Sequence, residues 1–350
     1  MPFPPAKSFT ILLTTLLLLA NFRSEAQNKL QIISDKYIFE QAPFEACHAS
    51  TLIALDKQTL MAAWFGGKHE GSDDVSIWSS VNRKGKWSAP VEIANGIQND
   101  TLRFPTWNPV LFKSKNGILY LHYKIGINPR SWWAVYKTSN DNGKTWSQAT
   151  KLPDGFLGPI KNKPVQLRNG DILYPSSTES QDEKIWNIHI EKTDAAAKNW
   201  KKIIIDCDTF GVIQPSILTY PNGKLQLLCR SRQNVIVESW SANNGETWSK
   251  LTATKLPNPN SGSDAVTLRD GRQLLIYNPL SAGKNWWEGR SVLKLAISDD
   301  GKNWTDIYTL ENHEKGEYSY PAIIQDSNEV IHLSYTSIRK KIKYLSFKLQ

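Results

Sequence analysis

One short turn recurs through the chain and narrows what it can fold into more than any other feature. Its form is Ser/Thr-x-Asp/Asn-x-Gly-x-x-Trp. It is seen as Ser139-Asn140-Asp141-Asn142-Gly143-Lys144-Thr145-Trp146 and as Ser241-Ala242-Asn243-Asn244-Gly245-Glu246-Thr247-Trp248. A third copy, Ser298-Asp299-Asp300-Gly301-Lys302-Asn303-Trp304, is one residue shorter, and eroded copies end at Trp87 and Trp200. The chemistry is local. A short Asp or Asn side chain can satisfy backbone N–H groups of a tight turn, Gly takes a positive φ, and the Trp ring packs beneath the hairpin. Repetition at intervals near 50 residues points to stacked or radially arranged supersecondary units.

A second pattern runs in phase with the first. Six segments begin with a polar residue, often followed by Pro, then a short apolar stretch and a turn. They start at His48, Asn108, Lys163, Gln214, Asp264 and Tyr320. Each leads to a second apolar strand, as in Asn222-Gly223-Lys224-Leu225-Gln226-Leu227. The chain also carries 14 Trp, 12 Tyr and 11 Phe against only 2 Met, a bias toward pleated surfaces. Together these features predict an all-β fold, a six-bladed β-propeller of four-stranded antiparallel sheets. With no Pro/Gly/Ser-rich linker or composition shift, residues 27–350 read as a single domain.

Residues 1–26 are set apart. Lys7 precedes an apolar run from Phe9 to Phe22, and Ser24-Glu25-Ala26 places small residues at a cleavage site, the pattern of a secretory signal peptide. The expectation is an exported protein, periplasmic or secreted, with no membrane insertion after cleavage. The formal charge is +9, but the basic residues are scattered. The densest knot, Arg339-Lys340-Lys341 with Lys343, has no nucleic-acid motif around it. Three cysteines, Cys47, Cys207 and Cys229, cannot form a disulfide scaffold and read as buried thiols, with one disulfide left open. No motif asks for a metal, nucleotide or other cofactor.

In a propeller, equivalent ends of the innermost strands meet around the mouth of the central channel. His48, Asn108, Lys163, Gln214, Asp264 and Tyr320 are then expected to form one ring. A turn serving structure alone would repeat one residue type, whereas here all six differ, so the ring reads as a pocket specialised blade by blade. The loop Gly66-Gly67-Lys68-His69-Glu70-Gly71-Ser72-Asp73-Asp74 brings Lys68, Asp73 and Asp74 toward His48. Arg230 and Arg290, from different blades, could clamp a carboxylate in bidentate fashion; a structural salt bridge is the bland alternative. The other histidines, His69, His122, His189, His313 and His332, read as ordinary surface or strand residues. Trp132-Trp133 and Trp286-Trp287 lie in loops, where they could stack on sugar faces or pack between blades.

These turns, known as Asp boxes, and the six-unit period resemble the sialidase (neuraminidase) superfamily, in particular its BNR-repeat sialidase-like proteins. The resemblance runs from about His48 to Tyr344. It implies a retaining exo-glycosidase with a Tyr nucleophile paired to a Glu, a separate acid/base Asp, and three arginines on the sugar carboxylate. Carried over by position, it places the nucleophile at Tyr320, with Tyr318 as fallback, and the second and third arginines at Arg230 and Arg290. The acid/base falls in Asp73-Asp74. Two positions depart from the pattern. The first arginine, normally in a Phe-Arg-Ile-Pro segment, falls on His48 of Cys47-His48-Ala49-Ser50, and the Glu partner falls on Gln214, which accepts no proton.

The expected function is an exported, sialidase-like, exo-acting glycoside hydrolase on glycans with an acidic terminal sugar, with His48 or Asp264 replacing the missing base. Two alternatives use the same ring. One is lyase-type β-elimination from a uronic acid, with His48 and Tyr320 as base and acid. The other is a non-catalytic carbohydrate-binding propeller. The expected partner is an acidic glycan or oligosaccharide bound by a monomer, with no nucleic acid.

Overall fold

The computed structural model describes Met1 and residues 30–285 and 287–350. The signal peptide read in residues 1–26 thus lies, apart from Met1, outside the described residues, as does Trp286. Six antiparallel sheets make up the molecule, and among the described residues there is no helix. The sheets are the six predicted blades. Their inner strands are Ala46–Ala54, Thr106–Lys113, Val165–Gln166, Val212–Thr219, Asp264–Thr267 and Tyr318–Gln325. Each inner strand pairs with the next strand in sequence, and blades one to five run outward in chain order. Blade one carries a fifth short piece, Val91–Ala94, beside its third strand.

Blade six closes the ring. Its outermost strand is the first of the chain, Leu30–Tyr37, which pairs antiparallel with Lys341–Leu349 from Leu30↔Leu349 to Tyr37↔Lys343. No turn motif marks this strand in the sequence. Apolar residues alternate into the seams between sheets. Trp64, Phe347 and Leu227 are fully buried, and burying a Leu- or Phe-sized side chain contributes about 1.5–3 kcal/mol. Polar side chains stitch neighbouring blades nearer the axis. The Ser50 and Ser334 hydroxyls meet at 2.8 Å across blades one and six, and Thr51 Oγ1 accepts the Leu111 N–H at 3.2 Å.

The Asp-box turns link third to fourth strands on one face of the propeller. In the first, Ser139 Oγ accepts the Gly143 N–H at 2.8 Å and Asp141 Oδ1 accepts the Thr145 N–H at 2.9 Å. Gly143 has φ 82°. The second and third copies repeat these bonds through Asn243 and Asp300. Their indoles, Trp248 and Trp304, each donate to the glycine carbonyl at 3.0 Å. The opposite face, where inner strands begin and second strands end, holds the candidate site.

Candidate active site

Four inner strands open with the same irregularity. Pairing skips two residues in blades one, two, four and six: Ala49-Ser50, Asn108-Pro109, Gln214-Pro215 and Tyr320-Pro321. The first residue of each bulge is left-handed, with φ 56° at Ala49, 38° at Asn108, 56° at Gln214 and 52° at Tyr320. None is glycine, so the backbone stores strain at this face. The bulges correct the ring. In blade one Ala49, not His48, is the equivalent of Gln214 and Tyr320, and His48 sits one residue earlier, in the register of Ser319. Blade one has Ser50 where the other three have Pro, so the marker that aligned them is missing there.

The shift still brings His48 to the site. Its ring lies 4.1 Å from the Tyr320 ring, centroid to centroid, and is 1 % exposed. Burial holds the imidazole well below its usual pKa, helped by the Arg339 charge. Neither ring nitrogen has a hydrogen-bond partner among the described residues. His48 is a neutral imidazole packed on the phenol ring at a tilt of 48°, with no hydrogen bond to the phenol oxygen.

That oxygen is held by two other groups. Arg230 donates to Tyr320 Oη at 2.8 Å, and Gln214 Nε2 donates to it at 3.2 Å. Arg230 also donates to Gln214 Oε1 at 3.2 Å. Because a guanidinium only donates, the amide must turn its oxygen to Arg230 and its NH2 to the phenol. A glutamate at this position would accept from the phenol; the glutamine reverses the bond. With two donors on its oxygen, the phenol is left to aim its own hydrogen at the pocket.

The arginines are held from the connection between the strands Thr252–Pro257 and Asp264–Thr267, which no motif marks in the sequence. Asn260, with φ 54°, accepts Arg230 Nε through its side chain at 2.9 Å and Arg290 Nη2 through its carbonyl at 3.1 Å. Arg290 pairs with Glu317 at 3.0 Å. The other side of Glu317 is held by Arg339, with Nε at 2.8 Å and Nη2 at 3.2 Å. Arg339 also pairs with Glu70. Burial pushes the Glu317 carboxyl up, yet its net position is well below the carboxylate range. Since His48 is neutral, Arg339 and Arg290 supply that stabilisation. Arg339 was visible in the sequence only as part of a basic knot.

The remaining candidates divide. Asp264 is committed to the framework: it accepts from Lys163 Nζ at 2.8 and 3.0 Å, from Ser216 Oγ at 3.1 Å, and from the N–H groups of Ala265 and Ile323 at 2.9 Å. Lys163 is bound to it, so this pair pins blades three to six together and leaves Asp264 no role as a base. Asn108 is buried at its bulge, with no side-chain hydrogen bond among the described residues. Asp73, Asp74 and Lys68 are exposed, and Asp74 caps the Lys68 N–H at 3.0 Å. From that loop it is His69 and Glu70 that line a small recess with His48 and Arg339. Tyr318 stacks on His313 at 4.5 Å, which leaves Tyr320 as the tyrosine bound to Arg230.

Two buried groups complete the surroundings. Lys161 donates to Asn162 Oδ1, the Ser263 carbonyl and the Pro321 carbonyl at 2.9, 3.1 and 2.7 Å. Burial lowers its ammonium to about 7. All three cysteines are free, and burial pushes the Cys47 thiol up to about 12, which removes it as a nucleophile. Among the described residues no cluster of His, Cys, Asp or Glu is placed to hold a metal.

The family follows from a match to the BNR repeat-like domain over residues 58–333. The chain belongs to that family. Solved structures with the same fold include a protein of unknown function from Dyadobacter fermentans, at 15% identity and TM-score 0.73, covering 92% of this chain and 99% of that one. The NanB sialidase of Streptococcus pneumoniae is similar at 13% identity and TM-score 0.70, covering 90% and 70%. The intramolecular trans-sialidase of Ruminococcus gnavus is similar at 15% identity and TM-score 0.69, covering 89% and 96%. No curated protein sequence matches the chain. Together these establish a BNR-repeat β-propeller that shares its fold with solved sialidases.

Proposed function

We propose that this protein is a sialidase-type glycan-active enzyme. It takes the carboxylate of a terminal acidic sugar at the Arg230 and Arg290 guanidiniums and reacts through Tyr320. The observation that carries the reading is the pair of donors on Tyr320 Oη, Arg230 at 2.8 Å and Gln214 at 3.2 Å. Several solved structures of this fold are named as sialidases, which supports the substrate class. Donors aimed at an oxygen stabilise the negative charge that stays when its proton leaves. In this reading the phenol proton passes to solvent, and the arginine–amide cradle replaces the carboxylate base that Gln214 cannot be. The phenolate oxygen then bonds to the anomeric carbon as the glycosidic C–O bond breaks, and water later releases the sugar. Export is part of the proposal and rests on the sequence of residues 1–26.

The reversed Gln214 bond also favours a second reading. A cradled phenolate can abstract a proton beside a carboxylate, and guanidiniums neutralising that carboxylate ease its removal, giving β-elimination from a uronic acid. Incubation with sialylated and with uronic-acid oligosaccharides separates the two. Hydrolysis releases a saturated acidic sugar, and elimination leaves an unsaturated product absorbing in the near ultraviolet. Either activity should fall by roughly 1000-fold or more in Tyr320→Phe with binding retained. Tight binding without turnover of either class would leave a binding propeller and end the enzymatic reading.

A further inference from the structure

Carbonyls that a bulge takes out of the strand ladder need donors from elsewhere. For blades four and six these donors come from blade three. Its inner strand, Val165–Gln166, is two residues long and has no bulge. The chain just before it carries Lys161 and Asn162, both buried. Asn162 Nδ2 donates to the carbonyls of Gln214 at 3.0 Å and Pro215 at 3.2 Å. Lys161 Nζ donates to the Pro321 carbonyl at 2.7 Å, to the Ser263 carbonyl at 3.1 Å and to Asn162 Oδ1 at 2.9 Å. One lysine–asparagine pair thus holds the Gln214-Pro215 and Tyr320-Pro321 bulges together with the start of blade five. Gly262 makes room for it: a Cβ there would stand 2.8 Å from Lys161 Cε and 3.2 Å from Gln214 Oε1.

Three acceptors for three ammonium protons leave Lys161 fully bonded. Every one of those acceptors is neutral. Among the described residues no carboxylate pairs with it, and Asp264 is already taken by Lys163 at 2.8 Å. A buried cation without a counter-ion is costly, and an uncharged donor could clasp carbonyls without that cost. The charge has a target instead. Lys161 Nζ lies over the Tyr320 ring, 5.6 Å from its centroid. A phenol that loses its proton spreads charge into the ring, so an ammonium facing the ring favours the phenolate. Burial lowers that ammonium to about 7, with Asp264 opposing the shift and Lys163 and Arg230 adding to it. Tyr320 and His48 are the uncharged titratable groups beside it.

We propose that Lys161 is the positioning residue of this site: with Asn162 it holds the Gln214 and Tyr320 bulges by their carbonyls, and it keeps an unpaired positive charge over the ring that becomes phenolate. Once the ammonium loses its proton, two donors remain for three acceptors and the charge is gone, so both effects fail together. This inference rests on the reading of Tyr320 as the reacting group.

The test compares wild type, Lys161→Met, Lys161→Gln and Tyr320→Phe on a sialylated and a uronic-acid oligosaccharide. Lys161→Met keeps the stem and removes the charge and its bonds; Lys161→Gln keeps two donors without the charge. Turnover per folded molecule should fall roughly 100-fold in Lys161→Met and nearly as far in Lys161→Gln. Affinity for an acidic monosaccharide should stay within about twofold of wild type in both, the split expected of a group that acts after binding. The ratio of wild-type to Lys161→Met turnover should be largest in acid and shrink as pH rises through about 7. Wild-type turnover in Lys161→Gln, or a ratio that stays constant with pH, would overturn the role of Lys161 alone and leave it a framework bond. Full activity of Tyr320→Phe, or no turnover of either oligosaccharide by wild type, would overturn the underlying reading and this inference with it.

Discussion

The two ends of the same strands are built to opposite rules. At the Asp-box face, three turns use nearly the same residues, the same side-chain acceptors, and only Gly or Asn, the residues that tolerate it best, where φ is positive. Apart from the indole N–H groups of Trp87 and Trp146, few buried donors there go unused. At the pocket face, four inner strands hold left-handed non-glycine residues, at about 1–3 kcal/mol each. His48, Ser261 and Ser263 bury polar atoms with no partner among the described residues. Repetition marks the end that holds the blades together; strain and unmet hydrogen bonds mark the end that carries the proposed pocket.

The largest expected effect breaks the pocket face. Glu317 ties Arg290 to Arg339, so Glu317→Gln should cost on the order of 3 kcal/mol at neutral pH, since it removes the buried negative charge shared by the two guanidiniums. The sign with pH follows from the carboxyl, which is held well below its ordinary range in the fold. Its stabilisation is complete above the unfolded value and is lost as pH falls below about 4.5. Denaturant titrations across that range should show the variant and wild type converging in acid. A constant gap at every pH would refute the ion-pair account.

A smaller effect comes from exchanging the rules of the two ends. Gly301 has φ 73°, and a Cβ there would overlap Tyr220 Oη and Gln226 Oε1. Gly301→Ala should therefore cost about 2 kcal/mol and leave activity per folded molecule unchanged. The reverse change at the pocket face, Ala49→Gly, relieves a φ of 56° while removing one buried methyl, and should be neutral within about 0.5 kcal/mol. A heavy loss in Ala49→Gly would mean that the bulge is not strained.

Much of this contrast could be read from the chain, because its markers are local. Gly and Asp fix the Asp-box turns, and the prolines after Asn108, Gln214 and Tyr320 mark the bulges, so the blade period and the Tyr320–Gln214–Arg230 grouping emerge from sequence. Blade one lacks that proline, and the ring was placed one residue early at His48. Partnerships between distant segments left no local trace. Lys163 meets Asp264 101 positions away. Glu317 and Asn260 hold arginines from other turns, and Leu30–Tyr37 closes a blade whose other strands begin at Tyr318.

The most direct test is calorimetric binding of an acidic monosaccharide and of its neutral amide to the Tyr320→Phe protein. The acid should bind at least about tenfold more tightly, and that preference should vanish when Arg230 or Arg290 is changed to Ala. Equal affinity for acid and amide, or a preference untouched by either arginine change, would contradict the carboxylate pocket.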